Sequence, residues 1–200
     1  MNATDLVTHF FHALDGGAWT EAAALVDSDE AARFQRSQLS QFVSFLAYRD
    51  RLKNSQPQAS GFGSNGEVSS DDLDRYSSRE LPGFKGSPTL GALAALSPAE
   101  YLARHFGEQR MVPCRRVSEK EVIPAPRKVL GELPGPDGWI YVLYMYDRFE
   151  AGKWPAGAPH VQVLPVRRVD SALKLALNDD LTAALPGGGL MDDMIGQESH

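Results

Sequence analysis

The residues of this chain best suited to chemistry lie in its last third: Tyr141, Met145 and Asp147 in one apolar run, and His160, Gln162 and Arg168 in the next. Side chains alternate along a strand, so Tyr141, Leu143, Met145 and Asp147 share one face, and His160, Gln162, Leu164, Val166 and Arg168 share another. If the connecting hairpin closes near Trp154, the two sets line one pocket floor. A slip of one residue exchanges the first set for Val142, Tyr144, Tyr146 and Arg148. A tyrosine and a strand carboxylate in an apolar pocket would suit proton transfer, because burial raises a carboxyl pKa toward the working range. The bland alternative is that the tyrosines fill space while Asp147 pairs with Arg148 or Arg168.

Other motifs are weaker. Gly61-Phe62-Gly63-Ser64-Asn65-Gly66 matches the dinucleotide fingerprint by letter, yet a polar, proline-containing tract precedes it where a buried strand must deliver the glycines. His9 and His12 lack a third ligand at fixed spacing and read as a half-exposed pair on a helix flank. Asp71-Asp72-Leu73-Asp74 and Asp179-Asp180 read as solvated caps and turns. Asn2-Ala3-Thr4 reads as a helix start. No metal site and no cofactor is expected. The single Cys114 excludes an intramolecular disulfide and reads as a small hydrophobe.

The elements that would position these residues follow from periodicity. Leu6, Val7, Phe10, Phe11 and Leu14 recur at helical spacing up to Gly16-Gly17, Trp19–Val26 reads as an alanine-rich helix, and Asp27-Ser28-Asp29 can cap a third helix over about Glu30–Leu52. On that helix Leu39, Phe42, Val43 and Leu46 face inward, while Arg36, Gln38, Arg49 and Asp50 are expected in water. Asn54–Ser70 is dominated by Gly, Ser, Asn, Gln and Pro, so a polar loop or insertion is expected at about 53–89. Ser97-Pro98-Ala99-Glu100 is a capping box opening a helix with Tyr101, Leu102, His105 and Phe106 inside.

After Gly107 the period changes to that of strands: Arg115–Ile123, Arg127–Leu133, Trp139–Phe149, Val161–Val169 and Ala172–Leu177, joined by short Pro/Gly-rich turns. Around Asp170-Ser171, Arg168 should oppose Leu173 and Val166 should oppose Leu175. Helices first and an antiparallel meander after give an α+β fold of one domain, with N-terminal helices packed against a curved antiparallel sheet of about five strands. Ile140, Val142, Tyr144 and Tyr146 then fall on the convex face. A sheet apolar on both faces needs a second cover, so a homodimer through those four residues is expected.

Composition narrows the function classes. Two hundred residues, 42% hydrophobic and 23% charged, make one ordinary globular domain. The formal net charge of −6 argues against nucleic acid, whose binding needs clustered cations. The first residues lack a basic region before an apolar run, so neither a signal peptide nor a membrane span is expected, and the reading is cytoplasmic.

The chain resembles the NTF2-like, or SnoaL-like, cone superfamily in Phe10–Trp19, Ser97–Gly107, Lys128–Tyr146 and, above all, Val163–Leu181. The resemblance implies a conical pocket between helices and a concave sheet, used by some members for isomerase or cyclase chemistry and by many for ligand or protein binding. The leading expectation is a non-catalytic small-molecule-binding or accessory protein with an apolar pocket and a small apolar ligand. The alternatives are a proton-transfer or hydrolytic enzyme using pocket Tyr, Asp and His, and a protein-interaction module.

Overall fold

The computed structural model describes residues 1–53, 70–81, 84–109, 114–116, 122–124, 127–147, 159–178 and 181. The first helix, α1 (Ala3–Asp15), begins where Asn2 and Asp5 bond reciprocally, the Asn2 side chain accepting from the Asp5 amide at 2.7 Å. Satisfying amides that have no partner inside the helix fixes its start. It ends at Gly16, and Gly17 takes the left-handed φ of +75° that glycine adopts without a Cβ clash. Next come α2 (Trp19–Leu25) and α3 (Ser28–Lys53), the latter capped by Asp27, whose Oδ1 accepts from the Asp29 amide at 2.9 Å. Two short helices follow, α4 (Ser70–Tyr76) and α5 (Leu90–Ala94), and then α6 (Pro98–Gln109). The expected capping box is present on α6: Ser97 donates through its amide and hydroxyl to Glu100, and the Glu100 amide donates back to Ser97 Oγ.

A four-stranded antiparallel sheet runs in the order β3-β4-β5-β6, from β3 (Lys128–Pro134) and β4 (Ile140–Asp147) to β5 (Pro159–Val169) and β6 (Ala172–Leu175). Arg168 opposes Leu173 and Val166 opposes Leu175, as the spacing about the Asp170 turn predicts. The expected single strand Arg115–Ile123 is instead two short strands, β1 (Cys114–Arg116) and β2 (Val122–Pro124), paired with each other in a separate sheet. Each is three residues long and pairs with the other, so the main sheet has four described strands rather than about five. The architecture is α+β, with helices against one face of the main sheet.

The sheet face turned to the helices carries Val142, Tyr144, Leu164, Val166 and Leu175, all without solvent exposure, and Tyr146 is buried beside them. Ile140 is partly buried against the same core. The expectation that Ile140, Val142, Tyr144 and Tyr146 form an outward dimer face is therefore overturned. The pairing of Val142 with Leu164 and of Tyr144 with Gln162 selects the alternative register, and it puts these four residues under the helices. The Tyr144 ring lies 4.8 Å from that of Phe11 and 6.2 Å from that of Tyr146, while Phe10 meets Phe106 edge-on at 5.8 Å. Aromatic pairs at such distances add to what burial alone contributes.

Two further expectations change. Gln38 is buried, because together with Gln35 it lies on the side of α3 that meets α6 and the end of α5; Gln35 Nε2 donates to the Leu96 carbonyl at 2.9 Å. In the 53–89 segment, Asn54–Ser69 lies outside the described residues, but Tyr76, Leu81 and Phe84 are core residues. Phe84 packs edge-on against Phe42 at 5.4 Å. The polar tract thus gives way well before residue 89 to chain that the core requires.

Candidate functional site

Of the sequence-predicted site residues, Tyr141 and Met145 lie on the opposite sheet face from Gln162 and Arg168. Tyr141 and Met145 project to the outer face of the sheet, because Val142, Tyr144 and Tyr146 between and beside them project inward. Gln162 and Arg168 share the helix-covered face with Leu164 and Val166, but six residues of strand separate them, about 20 Å at strand rise. Arg168 is exposed and donates to the Ser171 carbonyl at 3.1 Å, which ties it to its own turn. The backbones of Asp147 and His160 pair with Pro159 and Tyr146, and their side chains lie outside the described residues. Between sheet and helices, Phe10, Phe11, Tyr144 and Phe106 pack ring against ring.

An open cleft of about 540 Å³ lies elsewhere, where three chain reversals meet: the α2–α3 junction, the start of α6 and the β5–β6 turn. The local sequence explains its shape. Ala23, Ala24 and Ala31 on the helices and Ala172 on the sheet end in a single methyl, so the elements approach while the space above those methyls stays open. Val26, Pro98 and Val169 complete an apolar lining, and Ser28, Ser97, Asp170, Ser171 and Lys174 supply its polar groups. Lys174 Nζ donates to the Ala24 carbonyl at 2.6 Å, which holds the ammonium at one wall.

A buried ion pair sets the geometry of that corner. Arg167 donates through Nε to Asp27 Oδ2 at 2.7 Å, its guanidinium lies 5.4 Å from the Trp139 ring centre, and Asp27 is almost wholly buried. Burial pushes the Asp27 carboxyl up, but the bonds from Arg167 and from the Asp29 and Glu30 amides outweigh it and hold its pKa below the usual carboxylate range. The Asp27 amide also donates to the Leu175 carbonyl at 2.8 Å, and Val26 bridges Leu175. One residue therefore caps α3, extends the sheet edge and neutralises the arginine. A pair with this many bonds fixes the α2–α3 junction against the sheet.

A second unusual place is the α3–α6 interface. His105 is 1% exposed, its ring lies 4.7 Å from that of Phe34, and its nitrogens make no well-formed hydrogen bond, only a weak one to the Leu181 backbone. The Tyr101 hydroxyl, one turn away, and Gln38 Oε1, one turn beyond Phe34, are buried and unpartnered. Desolvation pushes the His105 pKa down to about 4 and the Tyr101 pKa well above its ordinary value. The sequence marked His105 and Tyr101 as inward-facing, but nothing in its pattern shows that their polar atoms lack well-formed bonds. Elsewhere His9 Nε2 meets Glu21 at 2.8 Å on the surface, and among the described residues no three His, Cys, Asp or Glu side chains come together to hold a metal.

Searches against protein-family models, characterised proteins and solved structures found no match. The functional reading rests on the geometry of this chain.

Proposed function

We propose that this protein is a non-catalytic binding protein that holds a small, largely apolar molecule with one hydrogen-bonding head group in the cleft between α2, α3, α6 and the β5–β6 turn. The observation that carries the reading is the cleft itself: its volume suits a compact ligand, and methyl and proline surfaces dominate a lining that carries a few hydroxyls, the Asp170 carboxylate and one fixed ammonium. An enzyme needs an acid and a base within reach of one reacting atom. The dispersal of Tyr141, Met145, Gln162 and Arg168 over two faces of the sheet speaks for binding rather than proton transfer. The α+β order and the helices on one sheet face agree with the NTF2-like cone as a proposed ancestry, with the ligand space at the end of the sheet.

The test is titration with 8-anilino-1-naphthalenesulfonate, whose fused rings and single anionic head match this chemistry. The native protein should enhance its fluorescence saturably, and Ala99→Trp, at an exposed position on the cleft rim, should weaken binding by roughly tenfold or more as the indole takes the ligand's place. Unchanged binding in that variant, or no saturable signal from the folded wild type, would remove the cleft from consideration.

A further inference from the structure

The outer face of the main sheet is a second surface, separate from the cleft. Its register gives rows across three strands: Leu133 beside Tyr141 and Pro165, Gly131 beside Leu143 and Val163, Lys128 beside Met145 and Val161. Leu133, Val161 and Val163 are 56%, 52% and 41% exposed. The only charge in the three rows is the corner Lys128; the next residue outward on β5, Arg167, is neutralised by Asp27. Tyr141 is held in its row, since its ring lies so close to Gly135 that a Cβ there would approach it to 2.5 Å.

We infer that this face is where a second copy of the chain docks, sheet against sheet, with Leu143 and Val163 at the centre of a two-fold interface. An apolar sheet face whose one charge lies at a corner is complementary to another such face at a spacing of about 10 Å, and it offers neither a groove for a helix nor an acidic or basic field for a charged partner. In an isologous pair Lys128 comes to the rim of its mate, so no cation is buried. Three strands about 4.8 Å apart and five residues long present several hundred Å² of accessible side-chain surface per copy. Two copies together bury on the order of 1,000 Å², the lower edge of specific interfaces, which suits a reversible dimer rather than an obligate one.

Sedimentation velocity of the full chain across a concentration series tests this. The wild type should pass from about 22 kDa toward twice that mass, and Val163→Glu should raise the dissociation constant at least a hundredfold by placing a carboxylate against its own symmetry mate. Leu133→Glu, at the most exposed position, guards against a misfolded first variant, and circular dichroism should show both folded. A wild type that stays monomeric at several hundred micromolar overturns the inference, whether the face is then covered by this chain's own residues 182–200 or by a different protein. A dimer that survives both substitutions overturns it equally.

Discussion

Tyr144→Glu should abolish cooperative folding. Tyr144 is fully buried, its ring lies against Phe11 and Tyr146, and its hydroxyl accepts from Asn178 Nδ2 at 3.2 Å. Removing the ring forfeits about 3–5 kcal/mol of packing, and a carboxylate left in its place must be desolvated or protonated at a further cost of several kcal/mol. The sum reaches the whole stability of a domain this size, about 5–15 kcal/mol. Circular dichroism with thermal and urea unfolding should show no native baseline for Tyr144→Glu, whereas Val163→Glu, on the opposite face of the adjacent strand, should melt within a few degrees of wild type. A folded Tyr144→Glu with a normal urea midpoint would mean that the two faces of the sheet are assigned the wrong way round.

That contrast also shows where the sequence stops being readable. Caps and periods were legible because they are local: Asn2 with Asp5, Asp27 with Asp29 and Ser97 with Glu100 bond as their spacing predicts, and Leu39, Phe42, Val43 and Leu46 are buried together. The pairs across the Asp170 turn were legible because a short turn leaves few registers. The face of β4 was not. Its odd positions read Tyr141, Leu143, Met145 and its even ones Ile140, Val142, Tyr144, Tyr146, so hydrophobicity alternates between two apolar sets and carries no sign of which faces the core. Gln38 and the 70–89 region were missed for a related reason. Polar composition predicts exposure only when no neighbouring element covers the segment, and Gln38 is buried on α3 while Phe84 packs against Phe42 of α3.

The candidate site was less legible than the fold. Tyr141, Met145, Gln162 and Arg168 were grouped by assuming one face for both strands, and a one-residue change of register puts Tyr141 and Met145 on the face opposite Gln162 and Arg168. The cleft left no trace in any motif because small side chains far apart in the chain make it: Ala23, Ala31, Ala99 and Ala172 become neighbours only once the helices and the hairpin are placed. Alanine-rich helices are commonplace. No spacing rule marks which alanines will line an opening and which will simply allow two helices to approach.

Stability should fall between pH 6.5 and pH 4 through His105. In the unfolded chain this imidazole titrates near its ordinary 6.5, and in the folded protein burial against Phe34 and Phe106 holds the value near 4. Between those values the unfolded state binds the extra proton and the folded state does not, so stability rises with pH there, is complete above 6.5, and reaches its lower plateau below 4. The shift corresponds to a loss of about 3 kcal/mol across the window. Asp27 acts in a different range: its folded pKa lies below the ordinary carboxylate value, so its contribution is present above that value and is lost only as pH falls through the lower folded one. Urea unfolding at pH 7, 5.5 and 4.5 separates the two. The wild type should lose stability steadily over this series, and His105→Phe, which fills the same space without a titrating group, should flatten most of the slope. Because the His105 ring makes only a weak bond to the Leu181 backbone, the phenylalanine variant should lose no more than about 1 kcal/mol at pH 7. An unchanged slope in His105→Phe would assign the acid sensitivity to carboxylates, and a large loss of stability at pH 7 would show that the imidazole is firmly hydrogen-bonded in solution and belongs to a polar network spanning α3 and α6.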